Sequence, residues 1–186
     1  ENKAAMQSRY LAYLLDQNQM VYATSAARRL LTWNREQDTP LLLRTCERLL
    51  EESRTAQARG QALLDAMEIW NSLAQSQRVA SGRLAPEGGA SLTNGGFASP
   101  PSSRGFDWRL PTFTGVSAAW QVNPTAMHFV FSGRQPESCE FLQQLLPVGG
   151  NRRYTLAFRY RTAGVPPGSG LRWRVVDEGM PTAILA

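Results

Sequence analysis

A single histidine, His128, limits the chemistry this 186-residue chain can assemble. A nucleophile triad would have to be built around it alone, and zinc sites of the cysteine–histidine kind lack ligands. His128 stands beside Phe129 in an alternating run, which reads as a structural or surface histidine. The acids of the second half are Asp107, Glu137, Glu140, Asp177 and Glu178. A glycosidase needs two carboxylates facing each other across a sugar. Glu137 or Glu140 against Asp177 or Glu178 is a conceivable pair, and it is the weaker reading. Gly88-Gly89 and Gly95-Gly96 precede no helix, and no lysine follows a glycine loop, so these are turns and not phosphate cradles. The residues point away from an enzyme, with no catalytic residue, metal or cofactor expected.

Recognition chemistry is better represented. Arg159 and Arg161 lie in one alternating run, Arg172 and Arg174 in another. If the two runs share a sheet, four guanidinium groups point the same way, suited to carboxylates, sulfates or phosphates; a solvated outer face is the alternative. Trp108 and Trp120 are candidates for stacking on flat sugar faces, with core packing as the alternative, while Trp173 falls on the apolar side of its run. Lys3 is the only lysine, so 19 of the 20 basic residues are arginines, at a net charge of +5. The densest basic runs are the pairs Arg28-Arg29 and Arg152-Arg153, too sparse for a nucleic-acid groove. Cys46 on a helical stripe and Cys139 in an expected strand read as two buried free thiols, which fix no compartment.

The elements that must position these residues change type along the chain. Of 15 glycines all but Gly60 lie at Gly82 or beyond, and of 11 prolines all but Pro40 lie at Pro86 or beyond. All seven phenylalanines follow from Phe97 onward. Glycine and proline punctuate turns and phenylalanine favours strands, so a helical part gives way to a β part. The expected boundaries are a helical domain at 1–75, a linker at 76–90 and a β domain at 91–186. Tyr10, Leu11, Leu14 and Leu15 have helical spacing, as do Leu42, Leu43, Cys46, Leu49 and Leu50, and then Leu63, Leu64, Met67, Trp70 and Leu73. Leu30, Leu31 and Trp33 end another apolar segment, and Thr39-Pro40 is a helix start. From Tyr154 to Tyr160, from Leu171 to Val175 and from Met127 to Phe131, apolar residues alternate with others, the pattern of half-buried antiparallel strands. No run of 18 apolar residues occurs. The chain opens on Glu1, so an upstream segment, a signal peptide or anchor among the options, is expected to have been removed or left out.

The four helices look duplicated. Leu14-Leu15-Asp16 matches Leu49-Leu50-Glu51 and Ala23 matches Ala58, at an offset of about 35 residues, while Arg28 to Trp33 matches Asp65 to Trp70 slightly further on. Over roughly residues 8–74 this resembles the tetratricopeptide repeat, in a degenerate form; a plain four-helix packing is the alternative. Two repeats alone bury little, so more repeats upstream or a β cap would complete the stack. From about residue 91 to 178, Asn94-Gly95-Gly96-Phe97, then Met127 to Phe131, Phe141 to Val148 and Arg153 to Phe158 resemble, in order, the jelly-roll carbohydrate-binding modules. Ala98 stands where that family usually has an acid, and the closing strands are lacking, so an incomplete jelly roll or a longer gene product is implied. Together the resemblances imply an α+β chain with N-terminal antiparallel helical hairpins and a C-terminal antiparallel β-sandwich. They imply a non-catalytic interaction or scaffold protein of the bacterial cell envelope, in an extracytoplasmic setting. It would bind a protein partner through the hairpins and a glycan or subunit through the sandwich. The rival readings are a carbohydrate-binding module for an acidic polysaccharide and an accessory subunit of a membrane-associated complex. Membrane contact would come only through an upstream anchor or a partner complex.

Overall fold

The computed structural model describes residues 2–55, 59–79, 82–164, 170–177 and 180–184. Four helices come first: α1 (Asn2–Asp16), α2 (Met20–Trp33), α3 (Thr39–Ser53) and α4 (Arg59–Gln75). Strands β1 (Val116–Val122), β2 (Thr125–Phe131), β3 (Val176–Asp177) and β4 (Met180–Ile184) follow. The chain is thus mixed α+β, helices before strands.

Each helix forms where its apolar residues make one stripe. On α3 the buried residues are Leu42, Thr45, Cys46, Leu49, Leu50 and Ser53, and Pro40 sits in the first turn after Thr39, where its missing N–H has no partner to lose. α2 stops at Asn34, whose left-handed backbone (φ 47°) turns its N–H onto the Leu31 carbonyl. α1 pairs with α2 and α3 with α4, and α3 also packs on α1 and α2. Across the hairpins Arg44 donates to Asp16 at 2.6 Å, Arg48 to Asn18 at 2.6 Å, and the Ser8 hydroxyl to Asp38 at 2.8 Å. Exposed ion pairs such as Arg44–Asp16 contribute about 0–1 kcal/mol, so they set register. The holding energy comes from enclosed Leu11, Leu14, Leu30, Leu42, Trp70 and Leu73, at about 1.5–3 kcal/mol for each buried leucine.

That core does not end with the helices. The Asn71 amide nitrogen donates to the Leu84 carbonyl at 2.9 Å, and the Leu84 N–H returns a 2.7 Å bond to the Asn71 oxygen. Leu84 is buried in the helical core. Phe106 is also there, its ring edge-on to Trp70 at 5.8 Å. Arg78 ties the end of α4 to the cap of α2, donating to the Arg35 carbonyl at 2.9 Å and to Asn34 at 2.8 Å. Residues 76–90, expected as a linker, are therefore fastened to the helices at Arg78 and Leu84.

In the second half β1 and β2 form an antiparallel hairpin with Val116 opposite Phe131 and Val122 opposite Thr125, closed by a cis Asn123-Pro124 bond. The expected alternation on β2 holds. Met127, Phe129 and Phe131 are half-buried while His128 and Val130 face solvent, and Phe129 and Phe131 pack edge-on against Phe141 at 4.8 and 5.2 Å. β3 and β4 form a second two-stranded sheet. Three expectations are corrected. The runs Tyr154–Tyr160 and Leu171–Val175 enter no β-ladder among the described residues, and their apolar side chains are exposed. The Asn94–Phe97 segment is a turn with φ near +50° at both ends, not an opening strand. Cys139 lies outside the strands and is half-buried, while Cys46 is the fully buried free thiol. For the two runs the reason is that alternation buries a face only if another layer covers it, and beyond Trp108 the described apolar side chains other than Pro147 are at most half-buried.

Candidate functional site

The turn at Thr93-Asn94 anchors a buried polar knot that explains several candidate residues at once. Asp107 is wholly enclosed, accepting from the Ser102 N–H at 2.7 Å and the Trp108 N–H at 2.8 Å, with the Asn94 amide at 3.5 Å. Asn94 clasps Ser99 in both directions, donating to its carbonyl at 2.8 Å and accepting from its N–H at 3.3 Å. Gln144 reaches in from far along the chain to donate to the Thr93 carbonyl at 2.7 Å and hydroxyl at 2.8 Å, and that hydroxyl donates to the Phe106 carbonyl. A carboxylate held by backbone N–H groups is structural, so Asp107 positions loops.

The knot also decides the two candidate tryptophans. Trp108 is 4% exposed, its indole N–H donates to the Asn94 carbonyl at 3.1 Å, and its ring stacks on Phe97 at 5.4 Å. It offers no open face to a sugar, a correction to its candidacy, because the Asn94 turn closes over it. Trp120 on β1 is half-buried and its indole N–H is taken by the Phe97 carbonyl at 2.7 Å.

Glu140 accepts from Arg174 with one oxygen and from Gln143 at 2.9 Å with the other, so it is engaged and not poised. Glu178 lies outside the described residues. Among the described residues no three metal-ligating side chains gather. His128 is exposed opposite Ala119. Burial, then the negative charge of Glu47, raises the Cys46 thiol pKa to about 12 against the opposing pull of Arg109, so no thiolate nucleophile forms there.

Paired and unpaired arginines occur in both halves, Arg9 and Arg29 of the helices being exposed with no ion pair among the described residues. In the helices Arg28 reaches Glu68 and Asp65 at 2.8 Å, and the Glu68 hydrogen bond is the first cause of its raised pKa. In the second half Arg174 pairs with Glu140, whereas Arg159, Arg161 and Arg172 are exposed and enter no ion pair among the described residues. The aromatics beside them form a chain. Trp173 lies 6.3 Å from Trp108 and 5.2 Å from Phe158, and Phe158 lies 5.7 Å from Tyr160. Exposure rises along it from Trp173 at 41% through Phe158 at 48% to Tyr160 at 77%. The Phe158–Trp173 contact brings the two arginine-bearing segments side by side. Phe158, Tyr160 and Trp173 are surface residues that the alternation assigned to a core, and no local signal marks them, because their exposure depends on what fails to cover them. Two open depressions lie elsewhere, lined by Lys3, Trp33, Arg35 and Gln37 near the start of α1 and the end of α2. No family model, curated protein or solved structure matches this chain.

Proposed function

We propose that this chain is a non-catalytic interaction protein: its helical hairpins grip a protein partner, and the ribbon formed by residues 153–162 and 170–175 holds a carboxylate-bearing partner. The observation that carries the reading is the grouping of exposed arginines, unpaired among the described residues, on two segments that the Phe158–Trp173 contact brings together. Arg28, Arg44 and Arg48 of the helices find internal oxygen partners, while Arg159, Arg161 and Arg172 stand exposed without an ion pair among the described residues. Like charges on neighbouring extended segments repel by some tenths of a kcal/mol per opposed pair, a cost of roughly 0.2–1 kcal/mol that an anionic partner removes. Guanidinium forks grip carboxylates bidentately. The hairpin and jelly-roll resemblances add a scaffold role and an extracytoplasmic cell-envelope setting to the same reading, with a helical part at 1–75 and a β part at 91–186.

The test replaces Arg159, Arg161 and Arg172 together with glutamine and measures retention on polygalacturonate and on polyglutamate. Retention of the parent chain falls with added salt, since exposed charges are screened beyond about 8 Å at physiological ionic strength. The triple variant loses retention at least tenfold on one or both, whereas Arg174→Gln, which breaks an internal pair with Glu140, changes it little. Unchanged retention of the triple variant makes the ribbon a solvated face only. Loss on one matrix alone separates glycan from polypeptide as the source of the carboxylates.

A further inference from the structure

We infer that α1 carries a docking face for a further helical hairpin of a partner polypeptide, built from Met6, Tyr10 and Tyr13 with Arg9 as its polar anchor. The inference deepens the protein-binding half of the proposed function and rests on it, not on the arginine ribbon. Met6, Tyr10 and Tyr13 are spaced four and three apart, so they share one stripe of the helix. All three stand in solvent, Tyr10 at 46%.

The second hairpin says what covers such a stripe. At the 35-residue offset Leu11, Leu14 and Leu15 of α1 fall on Cys46, Leu49 and Leu50 of α3, and all six are buried. In that same register Met6, Tyr10 and Tyr13 fall on Leu41, Thr45 and Arg48. Thr45 is 0% exposed and Leu41 is packed against the core. α3 is covered by the hairpin of α1 and α2, and the side chains flanking Thr45 reach across to it: Arg44 to Asp16 and Arg48 to Asn18. The face that is closed in α3 is open in α1, and a helical hairpin closes it.

Charge narrows the occupant further. Arg9 is the counterpart of Arg44, and Arg9 is exposed with no ion pair among the described residues. The partner hairpin therefore carries a carboxylate near the end of its first helix, in the place Asp16 takes toward Arg44. A second copy of the chain fits poorly. The open stripe of α1 carries Lys3 and Arg9, its one downstream acid, Asp16, is bound to Arg44, and α1-to-α1 pairing brings like charges together. At the other end of the stack Phe106 packs edge-on against Trp70 of α4, and Leu84 is buried in the same core.

The probe is a copy of residues 3–38 of this chain placed ahead of the full chain, so that it meets α1 as α1–α2 meets α3. Hydrogen exchange of the α1 amides is compared with and without the added copy. At least tenfold slower exchange is expected in the presence of the copy. That slowing is lost when the resident Tyr10 is changed to Arg, and reduced when Asp16→Ala is made in the copy alone. Tyr10→Arg in the full chain without the copy melts as the parent does, because Tyr10 is exposed there. Exchange that is the same with and without the copy overturns the inference. So does a chain that sediments as a dimer by itself and becomes monomeric with Tyr10→Arg. Retention on polygalacturonate is read in parallel, so a failed ribbon and a failed α1 face are distinguished.

Discussion

The thiol of Cys46 is enclosed between α3, α4 and the loop at Gly105, with its sulfur 3.5 Å from the Ala66 carbonyl. Burial lifts its pKa from 9.0 to about 12, so the folded state keeps the proton where the unfolded state loses it. Stability from this group is complete below pH 9 and is lost as pH rises from 9 toward 12, at about 1.4 kcal/mol per unit at most. Urea midpoints of the parent and of Cys46→Ala, compared at pH 8, 10 and 11, are expected to converge as pH rises; a constant gap shows that the thiol does not titrate between the two states. At this scale the sequence was partly legible. The stripe of Leu42, Cys46 and Leu49 marks Cys46 as buried, and nothing local marks Asp107. Its role comes from Asn94, Ser102 and Trp108 folding around it.

Among the elements, the helices were readable and the ribbon was not. The i, i+3, i+4 spacing on α1, α3 and α4 names residues most of which are buried, with Tyr10 and Leu64 standing exposed, and Thr39-Pro40 marks where α3 starts. β2 was equally plain from Met127, Phe129 and Phe131. The segments around Phe158 and Trp173 carry the same alternation, yet a ladder needs a partner strand in register, and alternation does not supply one. The joint between helix and loop is narrower than composition suggests. At Gly105, φ is +54° and a Cβ would lie 2.7 Å from the Trp70 ring. Gly105→Ala is therefore expected to cost about 1–3 kcal/mol through overpacking and a strained backbone, and to shift Trp70 toward solvent. Denaturation followed by tryptophan emission measures both; an unchanged midpoint shows that Trp70 and its neighbours give way freely.

Over the whole molecule, the shift in glycine, proline and phenylalanine locates where helices stop, and it does not locate where the core stops. Leu84 and Phe106 lie beyond the shift and are buried with Leu73 and Trp70, because a helical stack needs something over its last helix. Composition reports the type of element, and burial reports its neighbours, so a boundary drawn from the first cuts through a shared interior.

The placement of Phe106 on Trp70 has a temporal consequence. Helices and adjacent hairpins form from contacts close in sequence, whereas Phe106 must return across the intervening chain before it can settle, and distant contacts close more slowly. The Asn71–Leu84 clasp, spanning 13 residues, stands between these two steps and shortens the search. In stopped-flow refolding the far-UV helical signal is expected to recover before the emission of Trp70. Phe106→Leu is expected to quicken unfolding while leaving the early helical phase unchanged, the mark of a contact made late. If both signals rise together and the variant slows refolding instead, the closing of Phe106 over Trp70 belongs to the first event of folding, and the helices wait for their cover.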